Sequence, residues 1–238
     1  MTSKELIESR INNFLGYGNI DSNIWFVCME EGFDGTLEDL SLRLDATKDK
    51  TIIDIQSDMA GVPDHMRYFI GEHPPIQRTW SKMILMLGAF DSENFLTEDV
   101  RSYQKNRFGR LNSNHCILDF MPLPSRSINE ADWNYSDFGI DYLESRSTYL
   151  RKIMPFRISL FQGYIKERHP QNIIFCSRTY LPYWLEISGC KFKQMNGFHF
   201  CERGGINYFV VPHPTAYGIR NADWIRMTNE IKVLSKME

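Results

Sequence analysis

The chain has 238 residues, enough for one sizeable domain or two small ones, with the 42% hydrophobic and 24% charged content of an ordinary globular protein. Its formal net charge of −3 argues against binding long nucleic acid through overall charge, although a local basic patch is compatible with it. The polar N-terminus does not resemble a signal peptide and no apolar run approaches the length of a membrane span, so we expect a cytoplasmic protein without a membrane partner.

The hydrophobic pattern alternates between helical periodicity and short apolar runs that are typical of buried strands. In chain order, it predicts a helix at 3–14, a strand at 23–29, helices at 37–44, 76–87 and 98–108, a strand at 115–121, a helix at 142–168, a strand at 172–176, a helix at 180–187, a strand at 207–211 and a helix at 221–235. Pro155 is expected to kink the long helix, and Asn221 is a suitable N-cap for the last one. The stretch from Thr47 to Gly71 has no clear pattern.

Strands that are separated by helical crossovers form a parallel sheet with helices on both faces. We therefore predict an α/β protein, a three-layer α/β/α sandwich with a central, mainly parallel four-stranded sheet. No internal repeat, low-complexity segment or linker interrupts the pattern, so residues 1–238 are expected to form a single domain. We expect this domain to act as a monomer.

The five cysteines are odd in number and include no Cys-x-x-Cys pair. Three of them, Cys28, Cys116 and Cys176, lie in apolar strand-like runs, where a free cysteine behaves as a small hydrophobic residue. The sequence therefore predicts neither a disulfide framework nor a zinc site, and we expect no metal or other cofactor.

Three of the predicted strands end in residues that can carry chemistry. Met29-Glu30-Glu31-Gly32 follows the first strand, Asp119 and Phe120 end the second, and His213 lies between two prolines after the last. Carboxyl ends of parallel strands lie at one edge of a sheet, so these residues are expected to meet in a pocket suited to hydrolysis or to ligand binding. Each also has a structural interpretation: solvated glutamates, a carboxylate bonded to backbone N–H groups, and a turn histidine.

These strand-end motifs resemble those of the uracil-DNA glycosylase superfamily. The segment from Cys28 to Gly32 resembles the motif after that family's first strand, and the segment from His213 to Tyr217 resembles its His-Pro-Ser-Pro loop. The stretches from Gly16 to Gly32 and from Pro212 to Trp224 look like a bacterial, glycosylase-like branch with divergent motifs. The resemblance implies an α/β/α sandwich that excises uracil or another damaged or modified base from DNA without a metal.

The resemblance also implies a role for each matching residue. Glu30 takes the place of the residue that activates water, and His213 takes the place of the histidine that hydrogen-bonds the departing base. Tyr217 falls where a wedge residue fills the hole that the flipped base leaves in the duplex. The implied base pocket consists of Met29, Glu31, Gly32, Phe33, Asp119 and Phe120, with Phe33 or Phe120 stacking on the base.

The motifs also depart from the family pattern. Cys28 replaces a glycine, Glu31 and Ala216 each replace a proline, and Asp119 falls where the family has an asparagine that reads the base. An amide can both donate to uracil O4 and accept from N3–H, whereas an ionised carboxylate can only accept. Reading uracil thus requires a protonated Asp119, or a shifted alignment that uses Asn112 or Asn114.

Two functions follow as hypotheses. The first is a DNA glycosylase that hydrolyses the N-glycosidic bond, and the second is a non-catalytic protein whose pocket binds a nucleobase, nucleotide or protein partner. A cluster of arginines around His213 would favour the first; its candidate members are Arg126, Arg178, Arg203 and Arg220. A generic hydrolase ranks last, because the chain has no Gly-x-Ser-x-Gly, P-loop or His-Glu-x-x-His motif.

Overall fold

A computed structural model describes residues 2–93 and 95–235. The strands and helices alternate along most of the chain. They are α1 (Ser3–Asn13), β1 (Gly16–Gly18), β2 (Ile24–Cys28), α2 (Leu37–Ala46), β3 (Ile52–Ile53), α3 (Pro63–Met66), α4 (Arg78–Phe90), α5 (Thr97–Asn106), β4 (His115–Asp119), α6 (Arg146–Arg168), β5 (Asn172–Cys176), α7 (Leu181–Ser188), β6 (Lys193–Gln194), β7 (His199–Arg203), β8 (Ile206–Val211) and α8 (Asn221–Leu234).

The strands form one mixed, eight-stranded sheet in the order β3-β1-β4-β2-β5-β8-β7-β6. Its four central strands, β4, β2, β5 and β8, are parallel to one another. The flanking strands β1, β7 and β6 pair antiparallel to their inner neighbours. The predicted α/β class is thus confirmed, whereas the prediction of a four-stranded, mainly parallel sheet is wrong. The four extra strands are short or polar, so they lack the apolar run by which the central strands are recognised.

Helices cover both faces of the sheet. Trp25 and Val27 of β2 face a core shared with α1, α2, α6 and α7, whereas Phe26 between them faces a core shared with α4, α5 and α8. This alternation follows from the strand period of two and explains why the central strands are apolar on both sides. In register, Val27 is paired with Leu118 of β4 on one side and with Phe175 of β5 on the other.

The predicted helices are present, with shifted ends. The long helix α6 begins at Arg146 rather than Tyr142, because the Ser145 side chain caps it by accepting from the Thr148 N–H. Pro155 lies inside α6 without ending it, and the N-cap of α8 is Arg220 rather than Asn221. No helix in residues 2–93 and 95–235 is long and apolar enough to cross a membrane.

The sequence predicts no disulfide framework, but the structure joins one pair of the five cysteines. Cys190 and Cys201 form a disulfide that joins the segment after α7 to β7, with Cα atoms 6.5 Å apart. Cys190 lies just before β6, and the sequence pattern does not reveal the antiparallel pairing of β6 with β7 that brings it near Cys201. Cys28, Cys116 and Cys176 are free thiols, as their apolar surroundings in the sequence indicate.

Candidate functional site

A cleft of about 650 Å³ opens at the carboxyl edge of the four central strands. Every one of these strands contributes to it: β2 leads into Glu30, β4 ends at Asp119, β5 leads into Ser177, and β8 leads into His213. The volume is in the range of small-molecule sites. The convergence of residues from distant parts of the sequence follows from the parallel arrangement of the strands.

Most of the residues predicted for the site line this cleft. They are Met29, Glu30, Glu31, Gly32, Phe33, Asp119 and His213. Phe120 does not belong to the site, since it is fully buried in the core against Phe161 and Trp184. Successive side chains of an extended strand point to opposite faces, and Phe120 points to the face that α6 and α7 cover. Tyr217 is fully exposed in the loop after β8 and lies outside the cleft lining.

Glu31 is held by three donors. Its Oε1 atom accepts from the Tyr17 hydroxyl at 2.6 Å and from Arg43 Nη1 at 2.5 Å, and its Oε2 atom accepts from Arg10 Nη2 at 3.0 Å. Burial raises the pKa of Glu31, but the charges of Arg43 and Arg10 outweigh burial and lower this pKa below its ordinary value. Glu31 is therefore an ionised carboxylate whose position in the cleft lining is fixed by three donors.

Among residues 2–93 and 95–235, the side chain of Glu30 has Arg146 as its one partner. Arg146 Nη2 lies 2.6 Å from its Oε1 atom and 2.8 Å from its Oε2 atom. Burial raises the pKa of Glu30 to about 7, although the adjacent Arg146 charge lowers it in part. Since each carboxylate oxygen can accept more than one hydrogen bond, Glu30 can still accept from a water in the cleft. A carboxyl that titrates near neutrality can act as a general base.

Asp119 is buried at the floor of the same cleft. Its side chain is 4% exposed, and its Oδ2 atom has no hydrogen-bond partner among residues 2–93 and 95–235. Burial and the charge of Glu31 raise its pKa well above the ordinary range. A protonated Asp119 can both donate and accept a hydrogen bond, which is the capacity that an asparagine would have at this position. Asn112 and Asn114, the alternatives to Asp119 for contacting a base, precede β4 and therefore lie at the opposite edge of the sheet.

His213 lines the cleft, and its hydrogen bonds define its tautomer. Its Nδ1 atom accepts from the Thr215 backbone N–H at 3.2 Å and lies 2.9 Å from Thr215 Oγ1, so the neutral ring carries its proton on Nε2. Partial burial lowers the pKa of His213 below its ordinary value and favours this neutral form. Pro212 and Pro214 are both buried and anchor the loop. The imidazole is thus fixed as a hydrogen-bond donor.

The four candidate arginines do not form one cluster. Arg126 lines the cleft, whereas Arg178 and Arg220 lie on the loops after β5 and β8, also at the carboxyl edge. Arg203 lies at the other edge, because it pairs with Ile206 at the start of β8. Arg67 lines the cleft as well and was not predicted.

One wall of the cleft was missed by sequence reasoning. It comes from α3 and the start of α4 and includes His65, Tyr68 and Trp80. The aromatic residues in and next to the stretch from Thr47 to Gly71 could have indicated this wall. Aromatic residues more often belong to the hydrophobic core, so they did not identify it. Arg10, Arg43 and Arg146 were also missed, since only tertiary contacts bring these helix residues to the carboxylates.

Cys28 also lines the cleft. A hydrogen bond with Cys176 and burial raise the pKa of its thiol well above the ordinary value, which makes it a poor nucleophile. Within the described ranges, no group of three or more His, Cys, Asp or Glu residues is arranged to hold a metal ion. No protein-family model matches the chain, and no curated protein is significantly similar to it.

Proposed function

We propose that the protein is a DNA glycosylase of the uracil-DNA glycosylase type, which hydrolyses the N-glycosidic bond of uracil or another damaged or modified base. The observation that carries the proposal is the convergence of Glu30, Asp119 and His213 on one cleft. The four central parallel strands with helices on both faces also support it, because they are compatible with the α/β/α sandwich of that superfamily.

The chemistry of the three residues suits this reaction. Breaking the bond between sugar and base develops positive charge on the sugar and negative charge on the base. An ionised Glu30 can stabilise the sugar and orient the attacking water, and neutral His213 can donate to the base as negative charge develops on it. In this scheme Glu30 takes a proton from water and His213 donates a hydrogen bond to the base, so the protein's own residues supply both steps.

A neutral Asp119 supports recognition of a base in this cleft. Its carboxyl can donate to a ring carbonyl such as O4 of uracil, which an ionised carboxylate would repel. A carboxylic acid can also pair with an amino group and an adjacent ring nitrogen. The substrate class is therefore a base with paired hydrogen-bonding groups, flipped out of the DNA stack.

The second candidate is a non-catalytic protein that binds a nucleobase or nucleotide in the same cleft. It is favoured by the salt bridge between Arg146 and Glu30, which would serve a purely structural purpose in a binding protein. The two candidates differ in turnover and not in where the ligand lies.

The test is a panel of single- and double-stranded oligonucleotides that contain uracil, hypoxanthine, xanthine or alkylated bases. Incubation with the protein and then alkali should cleave at least one of them at the modified position. Glu30→Ala and His213→Ala should each reduce the rate by roughly 10²–10³-fold while far-ultraviolet circular dichroism stays unchanged. No cleavage above a protein-free control across the panel would reject the glycosylase and leave the binding protein.

A further inference from the structure

One wall of the cleft is built from aromatic rings that follow one another at contact distance. Tyr17 stacks on His65 with ring centroids 6.2 Å apart, His65 meets Trp80 at 5.5 Å, and Trp80 meets Tyr68 at 5.3 Å. All four residues line the cleft. Tyr68 and Trp80 are only half-buried, so their rings are open to a ligand. We call these four residues the aromatic wall.

His65 is the polar member of the aromatic wall. Its side chain is 4% exposed, and its Nε2–H donates to the Ile55 carbonyl at 2.7 Å. Burial lowers the pKa of His65 to about 4, so the ring is neutral at pH 7 and Nδ1 carries a lone pair. In the part of the chain that the structure describes, Nδ1 has no hydrogen-bond partner. Nδ1 is not one of the fully buried atoms that lack a partner, so it keeps accessible surface on a residue that lines the cleft and is suited to accept from a ligand N–H.

Gln104 holds the exposed end of the wall in place. This fully buried side chain donates to the carbonyls of Tyr68 and Pro75 and accepts from the Gln77 N–H. Gln77 in turn caps α4 by accepting from the Trp80 N–H at 2.8 Å. One amide therefore connects the backbone segments that carry the two half-buried rings. Holding these segments in place reduces the conformational entropy that is lost when a ligand stacks on the rings.

We propose that the aromatic wall is a stacking subsite for a planar nitrogen heterocycle, and that His65 Nδ1 accepts a hydrogen bond from an N–H of that ring. Phe120 cannot stack on such a ligand because it is in the core. Trp80 and Tyr68 supply the exposed aromatic surface instead, and Arg67 lies 4.8 Å from the Tyr68 ring at the mouth of the cleft. The inference rests on the proposed function only for the nature of the ligand.

The test measures binding of two small probes by nuclear magnetic resonance, without any turnover. 1-Methyluracil retains the ring N3–H, whereas 1,3-dimethyluracil has the same ring without it. Wild-type protein should bind 1-methyluracil roughly threefold to tenfold more tightly, which corresponds to one net hydrogen bond. The ¹⁵N shift of His65 Nδ1 should move with 1-methyluracil and stay unchanged with the dimethyl compound. This comparison needs no variant.

Three variants localise the effect. Trp80→Leu should weaken the binding of both probes by about tenfold, since the stacking of one base on an aromatic side chain contributes that much or more to affinity. His65→Leu removes the Nδ1 acceptor and offers no other, so it should bind both probes equally. The control Phe156→Leu changes an exposed aromatic residue on α6, outside the cleft, and should bind like wild type.

The outcomes separate this subsite from the proposed function. Equal binding of both probes by wild type, no saturable binding, or wild-type binding by Trp80→Leu would overturn the subsite even in an active glycosylase. Discrimination that persists in His65→Leu would assign the N–H to another residue, such as Asp119, and overturn the role of His65. The expected binding pattern in a protein that excises no base would support the subsite and reject the glycosylase.

Discussion

Arg146 Nη2 lies 2.6 and 2.8 Å from the two carboxylate oxygens of Glu30, so one nitrogen of the guanidinium holds the whole carboxylate. Both side chains are buried, at 4% and 9% exposed. Arg146 itself is fixed at the start of α6, where Glu130 accepts from its backbone N–H at 2.5 Å. Burial raises the pKa of Glu30, the charge of Arg146 lowers it in part, and the resulting pKa is about 7.

The first prediction concerns the pH dependence of base excision. A water-activating Glu30 works only when it is ionised, and its pKa is about 7. The single-turnover rate should therefore rise as the pH increases from 6 to 8. Glu30→Gln should remove this rise and lower the rate by roughly 10²–10⁴-fold. The exposed Glu186→Gln serves as the control, and a wild-type rate that falls over this range would contradict the role of Glu30.

The second prediction concerns the titration of Glu30 itself, which can be followed by ¹³C resonance without any substrate. The Arg146 charge lowers the pKa of Glu30, so Arg146→Met should raise it and Arg146→Lys should leave it closer to the wild-type value. Glu130→Gln is the matched control, since it weakens the start of α6 without removing the charge on Arg146. An equal shift in Glu130→Gln and Arg146→Met would show that helix packing, and not charge, sets the titration.

The third prediction concerns the protonation of Asp119. In the proposed function, the neutral carboxyl of Asp119 donates a hydrogen bond to the base. Burial and the charge of Glu31 raise the pKa of Asp119, so activity should fall only at alkaline pH, where the carboxyl loses its proton. Asp119→Asn offers the same donor and acceptor at every pH and should lose this alkaline decline. The activity of Asp119→Ala should be low at every pH. An alkaline decline that persists in Asp119→Asn would assign it to another group.

The fourth prediction concerns stability. Glu31→Gln leaves Arg10 and Arg43 buried without their shared carboxylate, which should lower the free energy of unfolding by roughly 3–5 kcal/mol at pH 7. The pKa of Glu31 is lowered on folding, so this stabilisation is present above pH 4.5 and is lost as the pH falls through the folded-state pKa. Urea denaturation measures the difference. The exposed pair of Glu167 and Arg168 provides the control, and Glu167→Gln should change stability by about 0–1 kcal/mol.

The sequence predicted the parts of the structure that depend on local pattern. The apolar runs of β2, β4, β5 and β8 identified the central strands, and the residues after them identified Glu30, Asp119 and His213 as members of one cleft. The sequence did not predict features that depend on the direction of a side chain or on contacts between distant parts of the chain. Phe120 follows Asp119 directly and so points to the other face, and Arg146 meets Glu30 across 116 positions of the chain. The aromatic wall depends on Gln104, whose contacts no periodicity reveals.

The most direct measurement is the amount of free base that the protein releases from an excess of uracil-containing single-stranded DNA, determined by mass spectrometry. We expect more than one equivalent of free uracil per protein, matched by abasic sites in the DNA, and a loss of this release in Glu30→Gln. Absence of free base from this substrate and from the other modified substrates, in a protein that still binds 1-methyluracil, would show that the cleft binds a base without cleaving its glycosidic bond.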